Sequence, residues 1–189
     1  MMMDHDDYED ENGYEHEEGH ESDQGADLDE VRAELARLLA GHKVLELGCG
    51  HGEAAEALVP GATCVAAPRP ADVPAELGGF DAVLLAFTWS RLKRDEQEPF
   101  LKALRARVGK DALLVLLDDE YVEGGSPTVA RTDAQGNTYH MVVGPDGNRV
   151  EQPKSYPTDS TLRKRLASSV REIKIQRWEF YWLLTCRLK

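Results

Sequence analysis

Between Glu46 and Gly52 the chain reads Glu-Leu-Gly-Cys-Gly-His-Gly, an acid followed by three glycines at alternate positions. Glycine has no Cβ to hold a ligand away from the backbone and reaches angles that other residues avoid. A helix opening behind such a turn directs its unpaired N–H groups to the same place. The chemistry this supports is the cradling of a ligand on bare backbone beside the carboxylate of Glu46. Dinucleotide-binding turns use G-x-G-x-x-G, which the spacing of Gly48, Gly50 and Gly52 does not match. Further along stand other chemistry-bearing groups: Phe87-Thr88-Trp89-Ser90, the doublet Asp118-Asp119, and Tyr139, His140 and Tyr156. His140 is a candidate general base, the usual role of an imidazole in proton transfer; its other reading is an exposed strand residue. Asp118 or Asp119 could align or deprotonate a nucleophile, or simply end a strand in solvent. Trp89 either stacks on a ligand or packs. His51 fills a variable place inside the turn and receives no catalytic role.

The elements that position these groups follow from the apolar pattern. Leu28 to Ala40 carries a helical stripe closed by Gly41, the usual place for a glycine cap. Lys43–Leu47 is a strand, Glu53–Leu58 opens a helix, and Ala62–Ala67 is a second strand. Phe80–Phe87 and Asp111–Leu117 are near-continuous apolar runs, as in a parallel sheet covered on both faces, with a helix over Asp95–Val108 between them. Strands alternating with helices predict a doubly wound sheet, whose ligands lie beyond the carboxyl ends of the strands. Thr128–Thr132, Thr138–Val143 and Asn148–Gln152 are short strands separated by Asp- and Gly-rich turns, an antiparallel meander spanning 128–152. Thr158 or Asp159 caps a helix running to about Ser168, and Val170–Arg177 with Phe180–Leu188 forms a closing hairpin.

The formal charge of −13 is unevenly spread. Residues 1–27 hold twelve acids and no Lys or Arg, leaving 23 acids against 22 bases in residues 28–189. Residues 1–27 have too little apolar surface to offset the entropy of ordering and read as a disordered acidic tail, with a protein partner of that tail as one use for it. The tail and the absence of a basic stripe argue against nucleic acid. No apolar run reaches membrane-spanning length, and Met1 leads into acids, not a signal sequence. Cys49, Cys64 and Cys186 match neither a zinc spacing nor a disulfide framework; they read as thiols of a cytoplasmic, soluble protein without a metal site.

The glycine turn with its upstream acid resembles motif I of class I methyltransferases dependent on S-adenosylmethionine (SAM), and the element order over residues 28–189 resembles their fold. Phe87-Thr88-Trp89-Ser90, Tyr121-Val122-Glu123-Gly124, Gly136-Asn137-Thr138-Tyr139, Tyr156-Pro157-Thr158 and Tyr181-Trp182-Leu183-Leu184 are similar to a bacterial small-molecule branch of that family. The resemblance implies a doubly wound, Rossmann-like α/β methyltransferase fold with a mostly parallel sheet, the closing antiparallel hairpin and the inserted meander as a cap. It implies SAM as cofactor, held by Glu46, Gly48, Cys49, Gly50, Gly52, Phe87, Thr88 and Trp89, with Glu46 near its amino group. A small-molecule acceptor would lie beside it, with His140 and Asp118 as candidate catalytic groups.

Two departures from the family pattern stand against full activity. Strand two ends Val65-Ala66-Ala67-Pro68-Arg69, without the acid that bonds the ribose of SAM, and Asp72 is the nearest substitute. Between Pro68 and Phe80 there is room for one short helix, Asp72–Leu77, and none for a third strand. The alternative reading is therefore a methyltransferase-like binding or regulatory protein with weak or no affinity for SAM.

Overall fold

The computed structural model describes residues 18–48, 58–65 and 69–189. Helix α1, Glu18–Leu39, precedes β1 (Val44–Leu47) and β2 (Thr63–Val65). Then come β3 (Ala82–Ala86), α2 (Arg94–Val108) and β4 (Leu113–Asp119). The inserted strands β5 (Arg131–Thr132), β6 (Thr138–Val143) and β7 (Arg149–Pro153) are followed by α3 (Asp159–Leu166) and the hairpin β8 (Val170–Arg177) and β9 (Tyr181–Leu188). The main sheet has the order β2-β1-β3-β4-β9-β8. Its first four strands are parallel, while β9 runs antiparallel to both β4 and β8. The meander forms a separate antiparallel sheet, β5-β6-β7.

The near-continuous apolar strands are explained by two cores, one on each face. Leu45, Leu47, Val83, Leu85, Leu114 and Leu116 point to one face, where Phe100, Leu101 and Leu104 of α2 and Leu162 and Leu166 of α3 cover them. The alternate residues Val44, Leu84, Val115 and Leu117 meet Val31, Leu35 and Leu39 of α1 on the other. Successive side chains of a strand face opposite ways, so a strand buried on both sides shows no alternation in its sequence.

Several expectations need correction. Helix α1 begins at Glu18, ahead of the expected start at Leu28, so the helix runs into the segment read as a disordered tail; residues 1–17 lie outside the described residues. The reason is polar, not apolar: Asp27 Oδ2 accepts from the Phe180 amide at 3.0 Å, and Gln24 donates to the Tyr181 hydroxyl at 3.1 Å. The expected helix over Asp72–Leu77 is instead a single 3₁₀ turn at Pro70–Asp72 and a bend in which the Leu77 amide donates to Pro74 O. Pro70 and Pro74 have no N–H to give a longer helix. Strand β4 continues to Asp119, because Asp118 and Asp119 pair with Trp182 and Tyr181 of β9; Asp118 is buried there, while Asp119 closes the strand with its side chain 40% exposed. Cys64, read as a thiol, is disulfide-bonded. Cys186 is a buried free thiol whose pKa burial pushes up to about 12. The helix expected over Glu53–Leu58 lies outside the described residues apart from Leu58.

No strand follows β2 before β3 among the described residues, and β2 is an edge of the sheet. Arg107 of α2 reaches under the shortened segment and donates to the carbonyls of Pro74 and Leu77.

Candidate functional site

Strand β1 ends at Gly48, whose φ of +85° is one that a residue with a side chain rarely adopts. A Cβ there would lie 2.5 Å from Thr88 Oγ1 and 3.2 Å from the Ala86 carbonyl. The Gly48 amide donates to Val65 O at 3.1 Å. The first glycine of the turn thus threads between the carboxyl ends of β2 and β3, with no room for a side chain. Cys49, Gly50, His51 and Gly52 lie outside the described residues. Glu46 is buried on β1, and both of its carboxylate oxygens accept from the Leu58 amide, at 3.2 and 3.1 Å. Burial pushes its pKa up, against the stabilising Leu58 hydrogen bond.

On the opposite wall, Phe87 also has a positive φ, +55°, and its amide donates to Leu117 O at 2.8 Å. Its ring meets Tyr181 edge to face at 6.2 Å. Thr88 is buried and donates to Ala86 O at 3.0 Å. Trp89, expected either to stack on the cofactor or to pack, is 2% exposed and belongs to the core between the sheet and α2.

The strongest electrostatic feature joins this wall to the inserted sheet. The Lys154 ammonium, directly after β7, donates to Ser90 Oγ at 2.8 Å, to Asp118 Oδ1 at 3.2 Å and to Asp119 Oδ1. Asp118 Oδ2 accepts from the Ser90 amide at 3.0 Å, and Oδ1 also accepts from the Asp119 amide at 3.0 Å. The Ser155 amide donates to Ser90 O at 2.9 Å. Burial raises the Asp118 pKa to about 6, with Lys154 opposing and Asp119 adding to the rise. Asp119 is held below the ordinary range although burial would raise it, because its bonds to Asp118 and Lys154 outweigh burial. Burial works against the Lys154 charge, yet the field of the two carboxylates holds its pKa above the ordinary value.

This geometry corrects the catalytic assignment of Asp118. Its side chain has no exposed surface and both oxygens are committed, so it anchors the 88–90 turn and presents no base to an open cleft. His140 sits on β6 opposite Gln152, with Nε2 3.2 Å from Gln152 Oε1 and Nδ1 enclosed without a partner. No hydrogen bond joins it to the Asp118 cluster among the described residues. Tyr139 is buried within the inserted sheet, its hydroxyl donating to Asp133 at 2.9 Å and its ring 4.2 Å from the Arg131 guanidinium. Tyr156 meets Tyr121 edge to face at 5.4 Å.

Sequence reasoning missed Lys154. Its signal lay in the Asp118-Asp119 doublet, since two carboxylates at the end of a buried strand need a cation to offset desolvation. Among the described residues no cluster of His, Cys, Asp and Glu is arranged to hold a metal ion, and no helix is long and apolar enough to cross a membrane.

A cavity of about 390 Å³ opens at the carboxyl end of β4, bounded by Gln24, Asp119, Glu120, Val122, Ser126 and Phe180. It lies where an open α/β sheet places its ligands.

Comparison with solved structures fits this geometry. The structure of DhpI in complex with SAH superposes with a TM-score of 0.59 at 18% identity, covering 90% of each chain. The fold is that of the SAM-dependent methyltransferases. The glycopeptide N-methyltransferase MtfA, complexed with S-adenosyl-L-homocysteine (SAH), matches this methyltransferase fold with a TM-score of 0.52 at 12% identity, over 84% of this chain and 89% of its own. The CcbJ methyltransferase from Streptomyces caelestis gives 0.50 at 17% identity, over 86% and 89%. No family model and no curated protein matches the sequence.

Proposed function

We propose that this protein is a SAM-dependent methyltransferase acting on a small-molecule acceptor. The observation that carries the reading is Gly48, seated at the carboxyl end of β1 against Thr88 with no space for a Cβ, two residues after the buried acid Glu46. A bare backbone and an acid at that point of a methyltransferase fold suit the methionine end of SAM. Gly48, Glu46, Phe87 and Thr88 are the described residues assigned to hold it; Cys49, Gly50 and Gly52 complete the set. When bound, SAM supplies a methyl group whose bond to sulfur breaks, with the electron pair going to sulfur, as a lone pair of the acceptor bonds the carbon. The chain's own work is alignment and exclusion of water. The cavity at the end of β4 is the assigned acceptor site, with Gln24 of α1 and Phe180 of the β8–β9 turn as its far wall. Asp118 and Lys154 hold the wall; the proton of a protic acceptor leaves to solvent, as His140 does not border this cavity.

One observation favours the second reading, a methyltransferase-like binding protein without turnover. Asp72, the nearest substitute for the missing acid after β2, is bonded by Arg69 at 2.8 Å, so its carboxylate is already engaged.

Calorimetry with SAM and SAH, followed by a methyl-release assay with candidate acceptors, tests both. Micromolar binding of both ligands is expected; no heat at millimolar ligand sinks the first reading, and binding with no turnover on any acceptor selects the second. Gly48→Ala should weaken SAH binding by about tenfold or more, as the new methyl group pushes the turn away from Thr88. Unchanged affinity in a folded variant would show that the ligand sits elsewhere.

A further inference from the structure

A second cavity, of about 210 Å³, lies on the other side of Trp89, between the first turn of α2, the turn before β6, the loop after β7 and α3. Neither Gly48, Phe87, Thr88 nor Asp118 borders it, so it is separate from the cleft described above. Three features of its wall point to a ligand.

The first is Gln97, which borders the cavity at 7% exposure with its side-chain carbonyl Oε1 enclosed and without a hydrogen-bond donor. A buried acceptor left unpaired costs about 1–3 kcal/mol, and such groups in native proteins call for a partner. The second is a pair of arginines in its wall, Arg94 and Arg165. Arg94 is held in place by donating to Gln135 O at 3.2 Å and by packing on Gly136, where a Cβ would come within 2.8 Å of it. Arg165 is half-buried, and neither guanidinium is bonded to a carboxylate among the described residues. The third is that no Asp or Glu contributes to the wall.

Two arginine forks without a counter-charge suit a phosphate or carboxylate, and the Gln97 carbonyl needs a donor that a bare anion does not bring. We propose that this cavity binds a small anion that carries a hydroxyl group, the anionic end between Arg94 and Arg165 and the hydroxyl donating to Gln97 Oε1. At roughly 30 Å³ per water, the space holds about seven waters or one three-carbon phosphate ester. Its ligand touches Trp89 and Ser155, which flank the Ser90–Lys154 junction, so occupancy would also brace the inserted sheet.

Calorimetric titration of the full chain with glycerol 3-phosphate tests this, with sulfate as an anion lacking the hydroxyl and glycerol as a hydroxyl lacking the charge. Glycerol 3-phosphate should bind about tenfold or more tightly than either control. Arg165→Gln should weaken it by a similar factor, and Gln97→Leu should erase its advantage over sulfate. No binding at millimolar glycerol 3-phosphate, equal binding of sulfate, or affinity untouched by a folded Arg165→Gln variant would each overturn the proposal. Amide shifts of the unmutated chain give a check independent of any variant: they should gather at Gly136, Gln97 and Thr161, and shifts confined to Gly48 and Phe87 would refute the site. Binding should persist at saturating SAH. Failure of SAH itself to bind would count against the cofactor reading and leave the glycerol 3-phosphate titration decisive here.

Discussion

At the scale of single residues, the glycine turn and the Asp118 cluster differ in what a sequence can show. Gly48 announces itself, because three alternate glycines behind an acid have few uses, and the structure gives the physical reason in the close approach of Thr88. Lys154 is 35 or more residues from each of its partners, and nothing local to it says that it is buried. The doublet Asp118-Asp119 was legible as unusual, but neither of its two readings, an aligning or proton-abstracting group and a solvated strand end, fits Asp118: its buried carboxylate, with both oxygens accepting hydrogen bonds, supports a turn. A pH prediction follows from this. The folded-state pKa of Asp118, about 6, lies above its ordinary value of 3.8. Its contribution to stability is therefore fully present below about pH 3.8 and is lost as pH rises through about 6. Asp118→Asn keeps an acceptor for the Ser90 amide and removes the titration. The stability of the unmutated protein, measured by urea unfolding, should fall relative to Asp118→Asn by about 1–3 kcal/mol between pH 4 and pH 7. A constant difference across that range would mean that Asp118 is not held protonated by its burial.

Elements were legible wherever apolar runs decided them and misplaced wherever polar bonds did. Strands β6, β8 and β9 fall within a residue of their expected bounds, and the loss of a third strand was visible as a shortage of residues between Pro68 and Phe80. The start of α1 was not, since its first turns are acidic and their anchors lie on the β8–β9 turn, some 150 residues away. The N-terminus of α2 is similar: the Arg94 amide donates to the Asn137 side chain at 2.8 Å, a cap delivered from the inserted sheet. These contacts make the acidic segment part of the fold from α1 onward. Deleting residues 1–27 removes Gln24 and Asp27 and leaves the Phe180 amide without its acceptor. At about 1 kcal/mol for each of the two hydrogen bonds and 2–4 °C per kcal/mol for a chain of this size, the midpoint of thermal unfolding should drop by about 4–8 °C. Deleting only residues 1–17 should leave it nearly unchanged. Equal midpoints for the two truncations, followed by circular dichroism, would show that the Gln24 and Asp27 bonds contribute nothing.

For the molecule as a whole, the two sheets differ in what holds them. The main sheet has an apolar core on each face. The inserted sheet has one buried apolar side chain, Tyr139, while Met141, Val143 and Val150 are exposed on its strands. A three-stranded meander with so little buried surface is marginal by itself, so its order must come from its attachments. These are polar: Lys154 to Ser90, Asp118 and Asp119, Ser155 to Ser90, and Asn137 to the start of α2. Lys154 carries the largest share, because removing it leaves the buried Asp118 carboxylate without a cation, at a cost of about 3–5 kcal/mol. That cost should fall unevenly. In native-state hydrogen exchange, Lys154→Met should lose protection across β6 and β7 together, as the sheet opens as one unit. The amides of β3 and β4 should keep their protection wherever it exceeds that of the inserted sheet. Uniform loss over both sheets would mean that they unfold as a single unit and that the Lys154 junction belongs to the global core. Selective loss would make the inserted sheet a separable cover, hinged at Ser90 and Lys154 beside the cavity assigned to the acceptor.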